Sequence, residues 1–262
     1  METIHLSIAD VGLTVRSENP EFIAQIADRY EGFIVPSADG FTMTLDTERG
    51  ITTVGEDLPR VTSTPEGFHY ERRDFHADVD TKTRNIEGSC APNMFSFDSC
   101  LRVFFTVHLL DIDGVMIHGA SAVQNGKALL FFGLSGAGKT TTARLSAPRP
   151  ILSDELTIIR RDGDGYRAYG TPFWGELQKN GDNISAPLVQ MNILVKDKEV
   201  RWEPVGGRKA LETLLPCVLF FAHEKAMVSR AVALASDLVT RVPTGMMHFL
   251  PDNSFWRLFE NV

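Results

Sequence analysis

Nine consecutive residues carry the most specific chemistry in the chain: Gly133, Leu134, Ser135, Gly136, Ala137, Gly138, Lys139, Thr140 and Thr141. Within them Gly133, Gly138, Lys139 and Thr140 fit G-x-x-x-x-G-K-[ST], the phosphate-binding P-loop pattern. Glycines let the backbone curl so that successive N–H groups point at one anion. Lys139 would reach the β- and γ-phosphates of a nucleoside triphosphate, and the Thr140 hydroxyl would hold Mg²⁺. A helix opening at Thr140 would add the partial positive charge of its first turn. A chain of this length matches the pattern by chance roughly once in a hundred, with Gly at about 7% of residues. The blander reading is a glycine turn between a strand and a helix, followed by a surface lysine.

Phosphoryl transfer needs more than a phosphate cradle. It also takes a second ligand for the metal and a group that positions or deprotonates the nucleophile. Asp154 and Glu155 stand at the end of a short apolar stretch, soon after Lys139. In a parallel sheet, strand ends on the side of the phosphate loop gather in one crevice. One carboxylate could then face Mg²⁺ while the other accepts a proton from an incoming hydroxyl. The blander reading is a turn cap. His118, at the end of the strand before the loop, could contact the transferring phosphate or move a proton; otherwise it is a structural histidine. Glu176 is a further candidate metal ligand, or a surface acid. Arg208 and Lys209 read better as solvated surface than as phosphate contacts. Phe173 and Trp174 read better as core than as a substrate platform.

These residues need elements to hold them. Ala128 to Phe132 is a continuous apolar run, as expected of a buried strand. Thr140 to Leu145 opens a helix. Val115 enters the strand that ends at His118 and the residues after it, and Asn125-Gly126 is a turn signal. Leu156 to Tyr169 reads as a hairpin about an Asp162-Gly-Asp-Gly165 turn. That turn lacks the sixth-position glycine of a calcium loop, where Arg167 stands. Leu188 to Val195 is a further strand, and Gly206 to Phe221 and His223 to Val242 are helices. Upstream, residues 1 to about 90 look β-rich. Ile4, Leu6 and Ile8 alternate, and Val11, Leu13 and Val15 continue the pattern after a break. Pro20 to Tyr30 reads as a short helix. Gly32 to Thr47 reads as a hairpin, and residues 50 to 90 as a solvated antiparallel edge whose charges include Arg72 and Asp74. Pro92 to Asp111 is the first long helix, with Ser96 or Asp98 as its cap.

The chain of 262 residues holds one large domain or two small ones, and 43% hydrophobic with 23% charged residues is a globular composition. The division expected is a β-rich region over 1–90 and an α/β domain over 91–262. A net charge of −8 argues against nonspecific binding to nucleic acid or to anionic membrane. No apolar run is long enough for a transmembrane helix, and the first residues do not read as a secretory signal. The three cysteines, Cys90, Cys100 and Cys217, form no metal spacing. Reduced thiols in a cytoplasmic protein are the simplest reading.

The segment from His118 through the glycine loop to Ile151-Leu-Ser-Asp-Glu155 and the following hairpin resembles the catalytic domain of HPr kinase/phosphorylase and its kinase relatives. The resemblance covers roughly residues 112 to 178. It implies an α/β fold with the P-loop core of the HPr kinase/phosphoenolpyruvate carboxykinase type, preceded here by the β-rich N-terminal α+β region. It implies that Gly133 to Thr141 bind the triphosphate of ATP and that Thr140 helps hold Mg²⁺. Asp154 matches the first of two adjacent family aspartates and so implies a metal role. Glu155 falls where the second stands, the acid or base of transfer to a serine hydroxyl, and is longer by one methylene. His118 matches the active-site histidine in spacing, and Glu176 a later metal-binding acid. The family's Leu-Glu-x-Arg-Gly-x-Gly segment is replaced by Thr171-Pro-Phe-Trp-Gly-Glu176, and Thr140 replaces its serine, so the family's protein partner does not carry over.

The expectation is an Mg-ATP-dependent kinase acting on a hydroxyl of a protein, peptide or small molecule. Lys139, Asp154, Glu155 and His118 are its catalytic residues, and Thr140, Asp154 and Glu176 hold its metal. No nucleic acid or membrane partner is expected, and a homo-oligomer is compatible with the resemblance. The alternatives are a small-metabolite kinase, a nucleotide-binding regulatory module without transfer, and an ATPase that moves a partner.

Overall fold

The computed structural model describes residues 1–47, 57–260 and 262. Two compact units emerge, one of residues 1–108 with 220–228 and one of residues 109–219 with 229–262.

The first unit is built on a seven-stranded sheet. Its strands are β1 (Glu2–Ile8) and β2 (Val11–Ser17), then, after helix α1 (Pro20–Arg29), β3 (Gly40–Asp46), β4 (Arg60–Ser63), β5 (Gly67–Arg72), β6 (Phe75–Asp80) and β7 (Asn85–Cys90). They lie in the order β1-β2-β3-β7-β6-β5-β4. The alternation at the N-terminus resolves into a hairpin, turned at Ala9 and Asp10 with φ of 52° and 61°. Positive φ at both central residues suits the right-handed twist of the flanking strands. Asn19 caps α1 by accepting from the Phe22 amide at 3.1 Å, and Pro20 follows it at the helix start.

The expected hairpin over Gly32 to Thr47 does not form. Phe33 is fully buried in a 3-10 turn, Glu31–Phe33, and β3 pairs parallel with both β2 and β7. A parallel pair needs a crossover, and α1 supplies it. Gly12 and Gly40 face each other in that pairing, and a Cβ on Gly40 would lie 2.1 Å from the Gly12 carbonyl oxygen.

Of the expected solvated edge, residues 50–56 lie outside the described residues. The rest is an antiparallel meander with a buried side of Phe68, Tyr70, Phe75, Ala77, Val79 and Ile86. Its charges are not all solvated. Arg72 Nε and a terminal nitrogen donate to the two oxygens of Asp74 at 2.6 and 2.7 Å, and the Asp74 side chain is fully enclosed. Helix α2 (Met94–Asp111) supplies Phe97 against Phe22 and Tyr30, and Phe104 against Phe41 and Phe68. Its cap is Asn93, whose Oδ1 accepts from the Ser96 amide. Ser96 Oγ instead donates to Asp74, and Asp98 pairs with Arg29 and Tyr30.

The second unit holds β8 (Gly114–Gln124), β9 (Lys127–Phe132), α3 (Lys139–Arg144), β10 (Ile151–Ser153), β11 (Leu156–Asp162), β12 (Gly165–Tyr169), β13 (Ser185–Lys196), β14 (Arg201–Pro204), α4 (Gly207–Leu214), most of α5 (Lys225–Arg241) and β15 (Thr244–Phe249). A 3-10 segment, Asn253–Phe259, closes it. The expected long helix from Gly206 to Phe221 is shorter, ending with a 3-10 turn at Leu215–Cys217 where Pro216 removes an amide donor.

Two long strands shape this unit by changing partners along their length. The first half of β8 pairs with β11 and the second with β9, while β13 pairs first with β12 and then with β9 and β15. The pairing therefore runs β8-β11-β12-β13-β9 and returns to β8. On one face of the β9 end, Leu129, Phe131, Met247 and Phe249 pack with Ala143 of α3 and with Phe255, Trp256 and Phe259. Among the described residues, no helix is long and apolar enough to cross a membrane.

Candidate functional site

β9 is apolar because it is covered on both faces, and it delivers the chain to the glycine loop at Phe132. Gly133, Gly136 and Gly138 all take positive φ, 153°, 77° and 112°. An L side chain is strained in such conformations, so glycine at these three positions is what the loop's curl requires. Gly138 is also tightly seated, since a Cβ there would stand 2.7 Å from Phe249 Cζ. Leu134, Ser135 and Gly136 form the exposed crest of the loop. α3 has only six residues. Its macrodipole is correspondingly short. Lys139 is buried, and its Nζ donates to the carbonyl oxygens of Gly133 and Leu134 at 3.1 and 3.3 Å.

The acidic pair lies on the same edge, for a reason that can be read from the register. β9 and β10 flank β8, and each is antiparallel to it, so they run in the same direction. Ser153 of β10 pairs with Ser121, which pairs with Leu130 of β9. Two residues further on, the Glu155 carbonyl accepts from the Gly119 amide at 3.0 Å, and Gly119 pairs with Phe132. Glu155 is thus level with the residue that precedes Gly133, two strand spacings or about 10 Å across the sheet. The sheet is mixed here rather than parallel, and alternate strands provide the common direction.

His118 lies inside β8, not at its end. It is the last residue paired with β11 before Gly119 begins the pairing with β9. Its Nε2 stands 3.3 Å from Glu155 Oε2, with the two side chains 45% and 29% exposed. This pair is a direct contact between two of the expected catalytic residues.

Asp154 turns the other way. It is buried, and its Oδ1 accepts from the Gly175 amide at 3.2 Å and its Oδ2 from the Leu177 amide at 2.9 Å. Glu176, between those amides, is exposed. Phe173 is buried, and Trp174 Nε1 donates to Asn180 Oδ1 at 2.7 Å, so this aromatic pair is structural. Arg208 is 92% exposed beside Glu212, and Lys209 is exposed. Among the described residues, no group of three or more His, Cys, Asp or Glu is set to hold a metal ion. Mg²⁺ seldom uses an all-protein cage and is usually bound through one or two side chains, water and substrate phosphates. Thr140, half-buried directly after Lys139, fits that mode.

Several supporting residues were not singled out from the sequence. Ser153 Oγ accepts from the Glu155 and Leu156 amides at 3.0 and 2.8 Å and so shapes the turn that carries the acids. The signal was a serine immediately before two acids, a local side-chain-to-backbone motif. Thr157 Oγ1 donates to the Gly119 carbonyl at 3.0 Å and lies 2.7 Å from Ser121 Oγ, tying β11 to the bend of β8. Burial pushes the Cys217 thiol up, while the Gly133 backbone and the Lys139 charge pull the other way. The three cysteines are free and buried.

Comparison with known proteins adds two likenesses. The family described as "SynChlorMet cassette protein ScmC" matches residues 92–216, slightly less than half of the chain. The HPr(Ser) kinase/phosphatase from Coxiella burnetii is similar over 55% of this chain and 90% of its own, at 9% identity and a TM-score of 0.29. At that score the likeness carries no argument. No curated protein matches the sequence.

Proposed function

We propose that the second unit binds Mg-ATP at Gly133 to Thr141 and transfers the γ-phosphate to a hydroxyl group. The observation that supports this most is the register of β9, β8 and β10, which sets the Glu155–His118 pair level with the start of the glycine loop. In the proposed reaction the acceptor oxygen forms a bond to the γ-phosphorus, the bond to the β-γ bridging oxygen breaks, and ADP leaves. Glu155 takes the proton of the acceptor hydroxyl, with His118 holding the carboxylate in place by its Nε2 contact. Lys139 and the loop amides stabilise the charge that spreads over the transferring group. When bound, Mg²⁺ neutralises the phosphate oxygens, and Thr140 with Glu176 are the residues that would hold it.

Exposure favours an acceptor on a protein or peptide chain over an enclosed metabolite. His118 and Glu155 are open enough for a hydroxyl carried on a larger chain to approach. The test is transfer of labelled γ-phosphate from Mg-ATP into the proteins and peptides of the source cell lysate, with Lys139→Ala and Glu155→Gln beside the unaltered chain. Label in a discrete acceptor that needs both residues is the expected result. Bound ATP with no transfer to any acceptor would instead make the protein a nucleotide-binding regulatory module.

A further inference from the structure

The contact between Glu155 and His118 is one that a regular ladder would forbid. Leu156 pairs with His118, and Ser153 pairs with Ser121. Both strands advance equally between those pairs, so Glu155 stands opposite Gly119. Residues opposite one another share a face of the sheet, and successive residues alternate faces. In an unbroken ladder Glu155 would therefore project from the face opposite to His118. Their side chains nonetheless meet at 3.3 Å. The chain bends at Asp154 and Glu155, and that bend carries the carboxylate across.

The bend disturbs the backbone pairing, and side-chain hydroxyls make up for it. Opposed residues of a hydrogen-bonded antiparallel pair exchange both N–H···O bonds. The Gly119 amide does donate to the Glu155 carbonyl, at 3.0 Å. The Glu155 amide is turned to Ser153 Oγ at 3.0 Å, and Ser153 Oγ also accepts from the Leu156 amide at 2.8 Å. The Gly119 carbonyl takes the Thr157 hydroxyl at 3.0 Å. Ser121 Oγ lies 2.7 Å from Thr157 Oγ1, and Thr171 Oγ1 donates to the Leu156 carbonyl at 2.6 Å. Ser121, Ser153, Thr157 and Thr171 are all buried. A regular ladder needs no such donors and acceptors, and a buried hydroxyl is costly without a partner.

We infer that Ser153 and Thr157 are positioning residues: their hydroxyls hold the bend that swings Glu155 across to His118. The inference rests on the phosphoryl-transfer reading for its effect on rate, and on register and hydrogen bonding for the bend itself. Neither hydroxyl touches the glycine loop in this arrangement, so the bend governs the proton step and leaves the phosphate cradle alone.

Three variants of the full chain test this. Thr157→Val keeps the branched shape and removes the donor. Ser153→Ala removes the acceptor of the two amides. Thr157→Ser keeps the hydroxyl. NMR without nucleotide, on chain labelled at histidine and glutamate, is expected to show a nuclear Overhauser contact between the His118 ring and the Glu155 side chain. That contact is expected to vanish in Thr157→Val and Ser153→Ala and to persist in Thr157→Ser. Transfer of labelled γ-phosphate from saturating Mg-ATP into lysate acceptors is expected to fall at least about tenfold in the first two, with the Mg-ATP dissociation constant within about twofold. A contact that survives in either of these variants overturns the role given to that hydroxyl. Rate and affinity falling together would show a disturbed cradle and would overturn the inference as well. Should Thr157→Val not fold, Ser153→Ala still decides it. An unaltered chain that transfers no phosphate would overturn the transfer reading, while the NMR contact would still decide what holds the bend.

Discussion

Asp74 stands in the turn between β5 and β6 with its carboxylate gripped by Arg72 and by Ser96 Oγ, which donates at 2.6 Å. Burial alone would push its pKa up, but those bonds outweigh it and hold the group below its ordinary 3.8. A carboxylate depressed in the folded state stabilises above its unfolded pKa, and that contribution is lost as pH falls through the folded value. Asp74→Asn is therefore expected to cost about 3 kcal/mol near neutral pH, because one partner of a buried pair is left behind. Urea denaturation should show the difference from the unaltered chain shrinking as pH drops below about 4. Sequence alone classed Arg72 and Asp74 with a solvated surface, since charge density marks neither burial nor pairing. His118 and Glu155 were legible as candidates because residue type and nearness to the loop suffice to nominate them. That Asp154 faces Gly175 and Leu177 was not legible, because the direction of a side chain at a bend depends on tertiary partners.

Among the elements, those read best are the ones whose period is strong and whose ends are marked. α1, with Asn19-Pro20 at its start, and the β11/β12 hairpin at Gly163-Asp164 form as expected. β3 was misread as half of a hairpin because its apolar alternation is the same in a parallel strand, and only the crossover through α1 distinguishes them. The short C-terminal 3-10 segment gave no periodic signal, yet it carries Phe255, Trp256 and Phe259, each within 6.0 Å of the Phe131 ring centroid. Phe131 belongs to the strand that leads into the glycine loop, so this segment braces the site from below. Phe255→Ala, at a fully buried position, is expected to lower stability by about 3–5 kcal/mol. Chemical denaturation followed by tryptophan fluorescence will measure it. A loss under about 1 kcal/mol would show that the segment is not part of the core that supports the loop.

At the scale of the whole molecule, a net charge of −8 sets the long-range field. Against that field, binding to a nucleic acid backbone is expected to be negligible at physiological salt. Fluorescence anisotropy with a labelled duplex should stay flat up to micromolar protein, and saturable binding would contradict that expectation. The division of labour is chemical as well as spatial: the residues proposed for nucleotide and proton chemistry all belong to the second unit. Everything proposed for that unit depends on the glycine loop being a triphosphate site. Titration calorimetry of Mg-ATP into the unaltered chain and into Lys139→Ala tests this most directly. The account predicts one saturable site in the unaltered chain, weakened at least about a hundredfold in the variant, in line with loss of charge-assisted bonds of roughly 1.5–3 kcal/mol each. Equal affinity in the two chains, or no binding to the unaltered one, would contradict it.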